Sequence, residues 1–399
     1  MGTRGMVRRL TWDAVRWEFM LLPMLLATSA GAQQVPTITL RPPVAEHEEP
    51  LSEAGGLREL RDGRVLVVDS RERLLVLYDF AKGTATRVSR QGAGPLEYRI
   101  PGPLVAVGDS VMMMDLLQQR LLVIDPNGVP LRTQRLIPTG EAVTALARYG
   151  VILAADARGR FYSESRGMTI VTGKMPVMSD TIALVRWARY GVQGDTLAIR
   201  VEPAPMPKMD LANRSKVGMK VPIVAYQPRD TWAVFRDGTV AILRVADYHS
   251  EWIAPDGKRS VGARLAHVPV PVTERDKERV RETTREAYEW GLKLGISMAG
   301  ANARQIPKIS LELEEPAPWP KVKPPFSSAR AAPDGRLWVA RATSDDELAE
   351  YDVVAPGGRL EKRVRFPKGV TLAGFGTDVL YAFRKDEDDL RYLQRYRLP

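Results

Sequence analysis

Chemistry in this chain must come from guanidinium and carboxylate groups, because thiol side chains are absent and imidazole side chains are few. The 399 residues include no cysteine, and the three histidines, His47, His249 and His267, sit at no metal-ligand spacing. Thiolate nucleophiles, disulfides, cysteine-ligated zinc and iron–sulfur clusters are thereby excluded, and imidazole metal sites have no support. No G-x-S-x-G elbow, HExxH, Walker loop or complete G-x-G-x-x-G occurs. The residues that do show a pattern are Asp69, Asp115, Arg244, Arg341 and Arg384, each ending an apolar run at an equivalent place in a repeat. An acidic pair and a basic trio at one repeat position could orient a dipolar or anionic ligand, since guanidinium groups grip carboxylates and phosphates in a fork geometry. The same five could instead act as turn caps and ion pairs.

The repeat that must position them is visible in the letters. DGRVLVVDSRERLLVLYD (62–79) aligns without a gap to GDSVMMMDLLQQRLLVID (108–125), and looser copies occupy 237–257, 334–358 and 377–398. Each copy is strand, tight turn, strand, bounded by Gly, Asp and Pro. Val65 to Val68 and Met112 to Met114 are continuously apolar, as expected of strands buried on both faces. Units of about 40 residues that cannot bury both faces alone must stack, and closing the stack into a ring removes its exposed ends. The expected fold is therefore all-β: a six-bladed β-propeller of four-stranded antiparallel blades. Five blades fall at 55–93, 103–138, 143–205, 228–270 and 325–367, the third with uneven links. Residues 370–399 supply three strands of the sixth, and Thr37 to Leu40 is expected to supply its fourth.

The run from Gln91 to Pro101, QGAGPLEYRIP, resembles the G-x-G-P-x-E-F/Y-x-x-P signature of NHL-like six-bladed propellers, where it joins one blade to the next. Together with DGRLWVA (334–340) and the closing RYRLP, it makes most of the chain similar to a broad group of secreted bacterial NHL-like or TolB-like propellers without an assigned function. Within the signature, Gly92 and Gly94 suit a tight turn and Glu97 can cap exposed amides. The wider resemblance to gluconolactonase-like propellers would imply a divalent cation held by Glu, Asn and Asp. Glu97, Asp115 and Asn213 are available residue types for it, at a spacing that matches no known pattern.

The first 32 residues have the layout of a secretory signal: Arg4, Arg8, Arg9 and Arg16, an apolar run from Phe19 to Ala27, and Ala30-Gly31-Ala32. The run is too short to span a bilayer, which needs about 20 apolar residues. Export to the periplasm or medium is expected, leaving residues 33–399 as one propeller domain with no stable membrane span. Asp13 and Glu18 offset two of the four arginines, so +8 of the net +10 remains in that domain. Its basic residues are dispersed and mostly Arg, unlike the clustered footprint of a nucleic-acid binder, so nucleic acid is not an expected partner.

Between the fourth and fifth blades lies a helical insertion with a Pro-rich connector, about 271–325. Thr273 and Asp276 have capping-box spacing, and Glu274 to Glu289 is rich in helix formers. Its apolar stripe, Val280, Ala287 and Leu292 or Leu294, is thin, so most of the helix should be exposed, either as a lid over the channel or as a solvated surface helix. Trp319 could pack as a peg or stand exposed. The acidic run Asp386, Glu387, Asp388 and Asp389 could bind calcium or form a hairpin tip. Together these features suggest a monomeric, non-catalytic module that binds an envelope or extracellular protein, peptide or glycan at the face carrying the blade-to-blade links. The competing reading is a metal-dependent hydrolase or lyase with channel carboxylates. The two are separated by whether carboxylate or amide oxygens converge at the channel mouth.

Overall fold

A computed structural model describes residues 35–136, 149–169, 177–203, 205–210, 216–299, 308–344 and 348–399. The expected signal segment, 1–32, lies outside the described residues, and the rest form one compact unit from Val35 to Pro399. They are mostly β-strand, organised as several four-stranded antiparallel sheets, consistent with an all-β propeller.

Two short strands, β1 (Thr37–Thr39) and β2 (Ala45–Glu46), precede the first complete sheet. That sheet holds β3 (Ala54–Glu59), β4 (Val65–Asp69), β5 (Leu74–Asp79) and β6 (Thr84–Arg87) in sequential order. The second holds β7 (Pro101–Val107), β8 (Ser110–Asp115), β9 (Arg120–Ile124) and β10 (Pro130–Arg135). The third holds β11 (Val151–Ala155), β12 (Phe161–Thr169), β13 (Val177–Arg189) and β14 (Gln193–Val201). After β15 (Lys208–Asp210) and β16 (Lys216–Pro222) comes the fourth: β17 (Thr231–Val234), β18 (Val240–Arg244), β19 (His249–Ile253) and β20 (Arg259–Val261). Helix α1 (Glu274–Ala299) and β21 (Lys308–Glu314) separate it from the fifth: β22 (Phe326–Ala331), β23 (Leu337–Arg341), β24 (Glu350–Val354) and β25 (Leu360–Arg365). The sixth group is β26 (Val370–Phe375), β27 (Val379–Lys385) and β28 (Arg391–Arg397).

The apolar runs behave as two-faced strands. Side chains alternate across a strand, so Val65 and Val67 enter one cluster, with Tyr381 and Phe383 of the sixth sheet. Leu66 and Val68 enter another, with Leu104 and Met113 of the second. Similarly Leu337 and Val339 pack with the fourth sheet's Leu243 and Trp252, whereas Trp338 packs with the sixth sheet's Leu372 and Leu380. The remaining two clusters bridge the second to the third sheet and the third to the fourth.

One turn type recurs at the opposite end from the Asp69 and Asp115 links. At 60–64, 235–239, 254–258, 332–336 and 355–359 a glycine at φ between 82° and 94° precedes the residue whose carbonyl closes the turn. The left-handed conformation favours glycine, which lacks the Cβ that would clash. This explains the recurring Asp-Gly at 62–63, 237–238, 256–257 and 334–335.

The structure corrects two expectations. Thr37 to Leu40 does not join the last sheet; β1 runs parallel to β25 of the fifth, from Thr37↔Arg363 to Thr39↔Arg365. The fourth strand beside β28 is instead β2, with Ala45↔Arg395 and Glu46↔Gln394, extended by the Leu51↔Arg391 bridge. Short edge strands with little side-chain pattern leave the partner ambiguous in sequence. The insertion also holds more than a helix and connector. β21 pairs in parallel with β16, which pairs with β15, making a separate three-stranded sheet. The helix is ten residues longer than the charged run alone suggested, continuing through Gly291 and Gly295 to Ala299.

These pairings set an order of importance. Deleting 35–42 removes β1 and buried Leu40, whereas deleting 35–51 also removes β2, buried His47 and buried Leu51. A large buried apolar side chain contributes about 1.5–3 kcal/mol, so the longer deletion should lower the melting temperature distinctly further. Equal losses in thermal unfolding would identify β1 as the fastening strand instead.

Candidate functional site

Four of the five repeat-derived residues occupy one register position. Asp69, Asp115, Arg341 and Arg384 lie opposite Ala54, Pro101, Phe326 and Val370, the first residues of β3, β7, β22 and β26. Arg244 lies one step beyond the Thr231↔Leu243 pair. All five therefore stand at the end of their sheets where chain enters from the preceding sheet.

Their partners differ. Buried Asp69 accepts hydrogen bonds from the amides of Ser52, Glu53, Arg71 and Glu72 at 2.7–3.2 Å. Asp115 repeats this with Arg99, Ile100, Leu117 and Gln118 at 3.0–3.3 Å. Each carboxylate thus ties the incoming link to the second-to-third-strand link. Arg244 forks onto Glu251 at 2.7 and 2.9 Å and reaches Asp230 at 2.8 Å, which raises its pKa above the ordinary arginine value. Arg384 forks onto Glu46 of β2 at 2.9 and 2.7 Å, raising its own pKa and lowering that of Glu46. Arg341 has looser partners, Glu350 at 3.7 Å and Asp352 at 3.9 Å. None of the five pairs with another among the described residues.

Of these five, Arg341 lines a cavity of about 590 Å³. Its wall combines the starts of β22 and β24, the end of β23, β26, and the links that lead into β17 and β22. It thus opens at the link-bearing end of the sheets. Hydroxyl and amide groups come from Gln227, Ser327, Ser328, Thr343 and Thr371, and apolar surface from Val224, Phe326 and Leu372. The charges at its rim have partners: Arg229 meets Glu202 at 3.4 Å, and Lys323 meets Asp276 at 2.8 Å with both side chains buried.

The Lys323–Asp276 pair anchors the insertion to this rim. Asp276 also accepts hydrogen bonds from the Thr273 amide and hydroxyl, both at 2.8 Å, and Thr273 Oγ1 accepts from the Asp276 amide at 3.2 Å, the reciprocal capping expected from sequence. The stems of the insertion pair beside it, Val272 N with Lys321 O and Lys323 N with Val270 O. Trp319 packs as a peg: Lys277 and Arg281 lie over its ring, and its indole donates to Glu315. Arg281 binds the same Glu315, whose pKa falls to about 2 because Arg281 and then Trp319 hydrogen-bond its charged form.

Two further arginines were not singled out from the sequence. Arg330 on β22 lines the cavity, and Arg58 on β3 donates through Nε to Leu104 O at 3.1 Å. Neither forms an ion pair among the described residues. The pKa of each is lowered, chiefly by burial, and Arg58 is lowered further by the positive charge of Arg330. A signal was present: LRELRDG and ARAAPDG both place Arg five residues before the turn glycine, where the third and fourth sheets have Ala154 and Ala233.

The other expected sites resolve locally. Glu97 accepts from the Gly94 amide at 2.8 Å and binds Arg90, and a Cβ on Gly92 would collide with its carboxylate. Asp386 accepts from the amides of Asp388 and Leu390 in a hairpin tip. Asn213 lies outside the described residues. Among the described residues no group of three or more His, Cys, Asp or Glu converges as a metal site.

No family model and no curated protein matches the chain. Among solved structures, a calcium-binding protein, regucalcin, from Agrobacterium tumefaciens is 12% identical, with a TM-score of 0.41, covering 91% of this chain and 97% of its own. A gluconolactonase from Xanthomonas campestris is 10% identical, with a TM-score of 0.42, covering 89% and 98%. No ligand or activity is carried over from either.

The buried rim pair makes a direct test. Removing one partner of a buried ion pair costs about 3–5 kcal/mol because the other charge is stranded. Asp276→Ala is therefore expected to destabilise the protein by roughly that amount in urea unfolding, and adding Lys323→Met should recover part of the loss. A double variant no better than Asp276→Ala would show that the pair's charge is not the cause.

Proposed function

We propose that this chain is an extracytoplasmic, six-bladed propeller and a non-catalytic binding module, taking a protein, peptide or glycan segment at its link-bearing face. The observation that carries the reading is the cavity of about 590 Å³ at that face, with hydroxyl, amide and apolar groups side by side. Binding sites of this volume are usually preformed, and a few placed polar groups within apolar walls give them orientation and specificity. The mixture here suits an amphipathic segment.

Several features support the architecture. Six apolar clusters each join two neighbouring sheets, and one of them joins the C-terminal sheet to the sheet of β3–β6. With β2 beside β28, this is the pattern of a ring fastened by both ends of the chain. The signal-like first 32 residues support export. Among the described residues no helix is long and apolar enough to cross a membrane. A monomer suffices, because the cavity wall is complete within one chain.

Binding is preferred to metal-dependent hydrolysis or lysis because the carboxylates that could have served as ligands, Glu97 and Asp115, are occupied by backbone amides and by neighbouring side chains. A divalent cation bound stoichiometrically to the purified protein, with an activity lost on chelation, would reverse that preference.

Thr371 is exposed on β26 and lines the cavity, so Thr371→Trp should fill it without entering a seam. In screening of envelope-derived peptide and glycan libraries, the variant is expected to lose at least about tenfold in affinity, about 1.4 kcal/mol, while melting normally. Undiminished binding by Thr371→Trp would place the recognition surface elsewhere.

A further inference from the structure

We propose that the cavity carries an oxyanion site in which Arg330 holds the carboxylate or phosphate end of the bound ligand, with Arg58 adding positive charge behind it. This deepens the binding reading by naming the chemistry that is recognised, and it rests on that reading for the ligand's route of entry.

Equivalence within the repeat gives the geometry. Arg58 and Arg330 both stand five residues before a turn glycine, Gly63 and Gly335, on the first strands of the first and fifth sheets. On β22, Ser328 and Arg330 both reach solvent, two residues apart, and so face the same side. Arg330 meets solvent within the cavity it lines, and burial nonetheless disfavours its charge. Phe326 begins the strand at the cavity, and at about 3.3 Å per residue Arg330 lies about 13 Å further along it. A ligand entering at the links would pass Ser328 before reaching the guanidinium.

Charge pairing separates this site from the rim. Arg229, Lys323 and Arg341 each have a carboxylate within 4 Å. Arg330 has no hydrogen-bond or ion-pair partner among the described residues, and Arg58 has only the Leu104 carbonyl. Burial acts against both charges, and the charge of Arg330 acts further against that of Arg58, as their lowered pKa values indicate. An oxyanion would remove both penalties, because a guanidinium presents paired N–H donors matched to carboxylate and phosphate oxygens. Tyr351 lines the same cavity, and its hydroxyl accepts the Leu372 amide at 3.0 Å, so its own proton is available to an anion.

The test uses the full mature chain in a chloride-free zwitterionic buffer, with sodium acetate and sodium phosphate as probes, read by calorimetric titration and thermal unfolding. Phosphate, acetate or both should bind at one site and raise the melting temperature, and the stronger of the two identifies the headgroup. Arg330→Gln should weaken that probe at least tenfold while melting no lower than wild type without anion, because a like-charge repulsion has been removed. Arg330→Lys should restore part of the affinity. Arg359→Gln, in an exposed turn at the opposite end of the sheets, should leave it unchanged. Arg58→Gln should weaken the probe less than Arg330→Gln does, and the proposal stands or falls on Arg330. Failure of both probes to bind the wild type, or an Arg330→Gln variant that binds as tightly as wild type, overturns it. The two readings fail separately. Peptide or glycan binding lost in Thr371→Trp but intact in Arg330→Gln removes the oxyanion site alone, whereas anion binding that needs Arg330 alongside a harmless Thr371→Trp removes the cavity as the ligand's seat.

Discussion

Every four-stranded sheet in this protein is apolar on both faces, and neither face can be satisfied within the sheet. That constraint governs the remainder. Val65 and Val67 need one neighbour and Leu66 and Val68 another, so the first sheet is stable only between two others. Tyrosine hydroxyls then fix the spacing across the seams. Tyr248 of the fourth sheet donates to buried Asp352 of the fifth at 2.7 Å, Tyr351 of the fifth accepts the Leu372 amide of the sixth, and Tyr381 of the sixth donates to Glu59 of the first at 2.8 Å. Burial pushes the phenols of Tyr248 and Tyr381 up, with the neighbouring carboxylates adding to the shift, so both stay protonated as donors. A chain without cysteine has no covalent substitute for these contacts.

The link-bearing end solves one local problem in two ways. Chain entering a sheet exposes backbone amides that need acceptors. In the first two sheets Asp69 and Asp115 meet four amides each. In the fourth sheet the acid has moved to the incoming link: Asp230 accepts the Val245 amide at 2.9 Å and pairs with Arg244, which has taken the strand-end position. The acid-to-arginine change along the repeat is thus largely a change in which side of the turn supplies the carboxylate. Arg341 departs from this most, since its acids are more than 3.5 Å away and it borders open space.

Much of this was legible because it is periodic. Asp-Gly turns, two-faced apolar strands and the capping box at Thr273 are each dictated by a few adjacent residues. What escaped depends on contacts between distant segments. β1 and β2 carry too few side chains to declare their partners. The strand KISLELE alternates cleanly enough to announce β21, but its pairing with β16 across about 90 residues does not follow from alternation. Strand-end charges are legible because each closes the apolar run of a repeat copy, in the looser copies as in the clear ones. Arg58 and Arg330 sit in the less regular first strands, where alignment begins from the turn glycine rather than from the apolar run.

The insertion gains meaning from where its charge goes. Asp276 completes the cap of α1 and, through the same carboxylate, neutralises Lys323 at the cavity rim. Without it, the Lys323 ammonium would keep the Thr343 carbonyl but lose its buried carboxylate partner, leaving positive charge at the entrance to hold an arriving anion. With the rim cations paired, the unpaired positive charge lies further in, at Arg330, and low-dielectric walls concentrate its field along the cavity. The helix therefore need not cover the opening to influence what binds. By supplying one buried carboxylate to Lys323, it leaves Arg330 as the cavity-lining cation without a carboxylate partner among the described residues.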